Sequence, residues 1–236
     1  YETVQSILAK SGHINHKYLK ESESDKKAVI VVTANRGLAG GYNSNITRMI
    51  IDEGFTKENT VVYAVGKKGR ELLERKGYEI KADYSEAIND PIYKDAKEIC
   101  DDVLSAFADG EVGEIYLAYT VFKNTVVHEP QLIRLLPVEA DDAAHETDGS
   151  EALMTYEPSE EEALDMIIPK YVCSLVYGAL IESVASENGA RMQAMDSATS
   201  NAEEMISTLS LKYNRARQAS ITQELTEIIA GANAIE

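Results

Sequence analysis

The chain has 236 residues, 44% apolar and 27% charged, the balance of a globular protein of one large or two small domains, and wholesale disorder is excluded. With 40 acidic against 23 basic residues the net charge is -17, which repels a phosphate backbone and argues against nucleic acid as a partner. The longest unbroken apolar run, Ala28 to Val32, falls far short of the roughly 20 residues that cross a bilayer, so neither a direct membrane span nor a secretory leader is expected.

In chain order, Tyr1 to Lys10 carries Val4, Ile7 and Leu8 before Gly12 and reads as the tail of a helix. Ala28 to Thr33 is a β-branched run bounded by Lys26-Lys27 and a Gly-rich segment, which suits a strand buried on both faces. Asn43 to Gly54 has helical spacing. Val61 to Val65 is a second strand, Arg70 to Lys76 a helix closed by Gly77, and Pro91 to Ala108 a further helix. Ile115 to Tyr119 and Gln131 to Leu136 are two more strands, with no helix between them and therefore an expected antiparallel edge. Strand and helix patterns alternate, which predicts an α/β, Rossmann-like and mainly parallel sheet.

From Glu139 to Asp165 there are 11 acidic residues and no Lys or Arg, the pattern of a solvated linker. Leu153 to Tyr156 has the look of a short strand, and Ser159 before Glu160, Glu161 and Glu162 is a good N-cap for a new helix. From Pro169 to Ile235 no turn cluster appears, so one helix is expected, about 100 Å long at about 1.5 Å per residue. Its first part carries a broad stripe of Leu164, Ile168, Tyr171, Val172, Leu175, Val176, Ala179 and Leu180 that can pack on the α/β domain. The stripe then narrows to a coiled-coil seam of Met195, Thr199, Ala202, Ile206, Leu209, Tyr213 and Ala216, resumed out of phase by Ile221, Leu225, Ile228, Ala232 and Ile235. Such a seam needs a partner helix. Either the chain begins in mid-helix, the reading we favour, or another polypeptide supplies it. Ser197 to Asn201, Ser207 to Ser210 and Ala216 to Thr222 are small or polar rather than densely charged, and Thr226 to Glu236 is mostly apolar all round, which predicts enclosure in a sleeve of other protein.

Few residues carry a chemical signature. Thr33 to Gly41 follows a strand and precedes a helix, a place where backbone N–H groups can hold phosphate, but it is neither GxGxxG nor a P-loop. His13 and His16 lack a third ligand, so no metal is expected. Asp101-Asp102, Asp141-Asp142 and Glu203-Glu204 lack the apolar setting that would raise one carboxyl for acid-base work, and no GxSxG elbow is present, so no catalytic residue and no cofactor is expected. Lys67, Lys68 and Arg70 form a compact basic cluster that reads first as a solvated loop. Met192, Met195 and Met205 are expected to pack in the seam. Cys100 and Cys173 lie far apart in the sequence with no CxxC, so neither a zinc site nor a disulfide framework nor a redox switch is expected, and a reducing cytoplasm fits.

Ala190-Arg191-Met192-Gln193-Ala194-Met195-Asp196-Ser197-Ala198-Thr199-Ser200-Asn201-Ala202, followed by the stretch from Leu211-Lys212-Tyr213-Asn214-Arg215-Ala216-Arg217-Gln218 to Gly231-Ala232, resembles the C-terminal signature of the gamma subunits of bacterial F-type ATP synthases. Arg36-Gly37-Leu38-Ala39-Gly40-Gly41-Tyr42-Asn43, Gly66-Lys67-Lys68-Gly69-Arg70 and Tyr156-Glu157-Pro158-Ser159 resemble that family's internal landmarks. The resemblance implies a non-catalytic rotor shaft in which the long helix forms an antiparallel coiled coil with an N-terminal helix largely missing before Tyr1. It implies a hexamer of alpha and beta subunits around the shaft, and an α/β foot beside the epsilon subunit and the membrane c-ring, on the cytoplasmic face of the plasma membrane. Carried over by position, Arg217, Gln218 and Thr222 match contacts to the beta subunits, Arg191, Glu224 and Glu227 the rotor-stator interface, and Tyr156 and Glu157 the membrane-ring contact. The implied division is residues 1–27, the end of the N-terminal helix and a linker; 28–158, the foot; and 159–236, the coiled-coil helix. The rival expectation is a nucleotide-binding α/β enzyme with a helical dimerisation arm.

Overall fold

Strands form where β-branched runs leave no polar face. In the computed structural model, which describes residues 16–19, 24–138 and 160–233, β1 (Lys27–Val32) and β2 (Thr60–Val65) are such runs, and almost every residue in them is buried. Helix α1 (Tyr42–Asp52) joins them, and α2 (Lys67–Arg75) leads from β2 to β3 (Glu79–Asp83). Helix α3 (Tyr93–Ala108) precedes the hairpin of β4 (Glu114–Phe122) and β5 (His128–Leu136), and α4 (Glu160–Asn233) ends the described chain. Strand order is β3-β2-β1-β4-β5. β1 pairs in parallel with β2 and β4, β2 in parallel with β3, and β5 is antiparallel to β4, so the expected antiparallel edge is present.

Strand β3 was not expected from the sequence. Glu79-Ile80-Lys81-Ala82-Asp83 alternates on an edge, half exposed, and its three charged residues hide the two inward side chains. The segments at Tyr1 to Lys10, Leu153 to Tyr156 and Ser159 lie outside the described residues.

Period-two alternation in β1 feeds both sheet faces. Val29 and Val31 join Val62, Ala64 and Ala118 in a core covered by Ile46 and Ile50 of α1 and Leu73 of α2. Ala28, Ile30 and Val32 join Tyr63, Val65, Ile115 and Leu117 under Ile99 and Val103 of α3 and under Leu164, Ile168, Val172, Val176 and Leu180 of α4. That buried stripe bears out the broad apolar face expected for the start of the long helix. Pro169 lies within it without ending the helix. Such a residue costs an unsupported helix about 3 kcal/mol, which the burial of Ile168 and Val172 offsets. The helix holds a window apolar enough, by length and composition alone, to cross a bilayer, and 39% of that window is buried.

The chain divides into two compact units, Tyr1–Met192 and Gln193–Glu236. The second consists of the remainder of α4, and from Met195 to residue 233 every residue is exposed.

Candidate functional site

A doubly wound sheet offers a ligand crevice where strand order reverses, here at the carboxyl ends of β1 and β4. In this chain a helix fills it. The Tyr42 hydroxyl, at the start of α1, donates to the Ser183 carbonyl of α4 at 3.1 Å, and Ser186 Oγ donates to the Thr120 carbonyl of β4 at 3.1 Å. Ser183 and Ser186 are fully buried. One turn on, Gly189 passes so close to His128 that a Cβ there would stand 2.6 Å from Cε1. Burial drives the Tyr42 phenol far above its ordinary pKa, which keeps it a hydrogen-bond donor.

The Gly-rich segment after β1 has its donors committed in the same way. Helix α2 begins with the N–H groups of Lys67, Lys68 and Gly69, the natural place for an anion. They donate to Asn35 Oδ1 at 2.9 Å, the Ala34 carbonyl at 3.0 Å and Thr33 Oγ1 at 2.9 Å. Asn35 Nδ2 donates in turn to the Ser85 carbonyl at 2.7 Å and Asn89 Oδ1 at 2.9 Å, and the Ala34 N–H donates to Asn43 Oδ1 at 2.9 Å. Gly66 makes this possible: its φ is 115° and a Cβ there would lie 2.1 Å from the Thr33 carbonyl oxygen. A phosphate would have to displace Asn35 and Thr33 together. The basic cluster is likewise paired, Lys67 with Glu86 at 3.5 Å, Lys68 with Glu71 at 2.9 Å and Arg70 with Asp83. The nucleotide-enzyme alternative therefore finds no prepared site among these groups.

Outside the crevice, the second unit presents an apolar seam with no cover among the described residues. Met195, Met205, Ile206, Leu209, Tyr213, Ile221, Leu225 and Ile228 are all exposed, Ile228 by 68%. Burying one such side chain fully is worth about 1.5–3 kcal/mol, so the seam as a whole can bind another helix or enclosing protein strongly. The methionines expected to pack there, Met195 and Met205 with Met192, stand open in the isolated chain.

Comparison with known proteins agrees with this arrangement. The family model described as ATP synthase matches residues 1–235. The chain is 66% identical to the ATP synthase gamma chain of Lachnoclostridium phytofermentans over all of its own length and 83% of the relative's. The chain belongs to the ATP synthase gamma chain family. It is also 41% identical to the sodium ion specific gamma chain of Acetobacterium woodii, across 99% of this chain and 83% of that one. Among solved structures, the central stalk and c-ring of the Tetrahymena thermophila mitochondrial ATP synthase matches with a TM-score of 0.62 at 25% identity, covering 84% of this chain and 86% of that one. The gamma-chain fold is thus the mainly parallel sheet with its long C-terminal helix.

The residues singled out from the gamma-chain resemblance are distributed along α4. Arg191 is half-buried in the first unit, paired with Glu187 at 2.5 Å and donating to Asn188 Oδ1 at 3.5 Å. Arg217, Gln218, Thr222, Glu224 and Glu227 are exposed in the second. Thr222 Oγ1 donates to the Gln218 carbonyl at 2.8 Å, and Glu227 accepts from Gln223 Nε2 at 3.0 Å. Among the described residues Arg217 has no hydrogen-bond or ion-pair partner, so its guanidinium is free to bind outward. Tyr156 and Glu157 lie outside the described residues, as do His13 and Asp141-Asp142.

His16 is buried with Nε2 3.2 Å from Asp165 Oδ1, and Lys17 Nζ is 2.8 Å from the same oxygen. The Lys17 hydrogen bond and charge hold the Asp165 carboxyl below its usual range. Asp102 accepts from the Tyr84 hydroxyl, and Glu203 and Glu204 are exposed. Two features escaped the sequence reading. Ser183 and Ser186 left a faint signal, small polar residues at helical spacing on an otherwise apolar buried face. Cys100 and Cys173, far apart in the sequence, are both buried in the same core. No local pattern carries that shared burial, because it depends on how α4 and α3 cover the same sheet face.

Proposed function

We propose that this chain is the rotor of the central stalk. Ion-driven rotation of a membrane c-ring turns it, and its asymmetric surface drives the catalytic beta subunits through their conformational cycle. The chain itself catalyses nothing. Its partners are the alpha and beta subunits around α4, an epsilon subunit and the c-ring at the α/β foot, peripheral on the cytoplasmic face of the bacterial plasma membrane. In this reading residues 28–158 are the foot, 159–236 the shaft, and residues 1–27 the end of the accompanying helix and its linker.

The observation that carries the reading is the change along α4, from a stripe buried in the α/β core to a segment whose apolar seam is bare. A shaft needs both a firm hold on its base and a surface that other subunits enclose. Arg217 and Gln218 bind the beta subunits through charge-assisted and amide hydrogen bonds that break and re-form at each step, with Thr222 accepting at its already donating hydroxyl. Arg191, Glu224 and Glu227 lie along the rotor-stator boundary, and Tyr156 and Glu157 meet the ring.

Purification of the natural full-length chain from solubilised membranes, with partners counted by mass spectrometry, tests this. Three alpha, three beta and one epsilon subunit per copy are expected. Recovery alone or as a homodimer overturns the assignment.

A further inference from the structure

Beyond its two serine contacts, α4 meets the β4–β5 hairpin at a position with no side chain. A Cβ on Gly189 would stand 2.6 Å from His128 Cε1, 3.2 Å from His128 Nε2 and 3.5 Å from Phe122 Cε2, the first closer than a Cβ approaches another carbon. Phe122 and His128 are cross-strand partners in the antiparallel ladder, with ring centroids 5.9 Å apart and 35° between their planes. Both ring nitrogens of His128 are buried and make no hydrogen bond among the described residues, so packing rather than polar contact orients the ring. The hairpin behind these rings is braced at its tip. Asn124 Oδ1 accepts from the N–H groups of Val126 at 2.9 Å and Val127 at 2.8 Å, and Lys123 Nζ lies 2.5 Å from Glu129 Oε2.

We propose that Gly189, seated on the Phe122–His128 ring pair, is the positioning residue that fixes the rotation of α4 about its own axis, and with it the angle at which the sheet turns the helix. The inference takes its function from the rotor reading and its geometry from the α/β unit alone. Successive residues of an α-helix are turned by about 100°, so at the height of the hairpin a roll in either sense replaces Gly189 with Asn188 or Ala190. Each of these carries the Cβ that the rings exclude. Ser186, three residues earlier, donates to the Thr120 carbonyl, and the Ser183 carbonyl, three earlier again, accepts from Tyr42, so all three contacts lie along one i, i+3 row. The two hydrogen bonds stretch under a small roll. The ring contact stops it, because close-packed groups resist even slight overlap. Glycine is a poor helix residue, so its place inside α4 answers to this close approach and not to helix formation.

The test follows the angular fluctuation of a bead attached to the α/β foot of the purified complex containing the full-length chain, with the hexamer immobilised and rotation halted by a tightly held nucleotide. Gly189→Leu is expected to widen the angular variance about twofold by pushing α4 off the rings, and His128→Ala to widen it by leaving the helix unsupported. Combining the two moves the bulk from strand to helix and should return the variance to near the wild-type value, a rescue that a general loss of stability would not show. Gly189→Ala, a milder change, should widen it less and serves if the leucine variant does not assemble. Wild-type variance in both single variants, or a double variant no better than either, would overturn the seat. Recovery of the wild-type chain outside any complex would instead sink the rotor reading. The seat is then judged on the isolated full-length chain, where each single variant should lower the urea midpoint and the pair restore it, and a pair that fails to restore it overturns the seat there too.

Discussion

The two halves of α4 have nearly the same secondary structure and opposite dependence on their surroundings. Up to Met192 the helix is held by its own chain: Leu164, Ile168, Val172, Val176 and Leu180 are buried, and Ser183 and Ser186 are tied to α1 and β4. From Gln193 onward the second unit exposes residues as apolar as Leu209 and Ile228. Local helix propensity is similar in both, so propensity does not separate them. Tertiary cover does, and among the described residues the second half has none.

Glycine substitutions should break the comparison most sharply. Gly66→Val places a Cβ 2.1 Å from the Thr33 carbonyl oxygen at a φ of 115°, and should cost upwards of about 4 kcal/mol, seen as loss of soluble chain or of the urea transition. Gly231→Ala, with nothing within 4 Å of the added carbon, should instead stabilise its helix locally by about 1 kcal/mol, measured by amide hydrogen exchange. A destabilising Gly231→Ala in the isolated chain would mean that the second unit is not bare.

Core truncation comes next. Ile168→Ala should lower stability in urea by about 2–5 kcal/mol, while Leu209→Ala in the isolated chain should stay within about 0.5 kcal/mol and show its cost only as weakened assembly. Arg217→Ala should reduce ATP hydrolysis by the assembled complex several-fold with the urea midpoint of the chain unchanged.

The smallest effect is electrostatic. Partial burial raises the Glu114 carboxyl, but the hydrogen bond and charge of Lys27 at 2.8 Å outweigh it and leave the pKa below 4.5. A depressed carboxyl stabilises the fold fully above its unfolded value and loses that contribution as pH falls through the folded one. Glu114→Gln should therefore cost up to about 1 kcal/mol at pH 7 and flatten the loss of stability below about pH 4.5, read from urea midpoints between pH 6 and 3.5.

Most of the fold was legible because both sheet faces are covered. Double cover makes β1 and β2 continuous apolar runs, and it makes the first part of α4 a broad stripe. Strand β3 was hidden because an edge strand needs few apolar residues and carries Glu79, Lys81 and Asp83 outward. The seam of the second unit was readable from its spacing of fours and threes, but its function was not, since an exposed seam specifies a partner helix and not which one. The family signature from Ala190 to Ala232 supplied that. Asn35, whose side chain occupies the α2 terminus, and the shared burial of Cys100 and Cys173 depend on groups distant in sequence and left no periodic trace.

The cover that α4 gives to one sheet face has a consequence for synthesis. A ribosome delivers β1 to β5 and α1 to α3 before it reaches Leu164, so the nascent sheet emerges with one face closed by α1 and α2 and the other only partly closed by α3. Ile30, Leu117 and their neighbours stay exposed until Leu180 has left the exit tunnel. During that interval the young chain is at its most prone to aggregate.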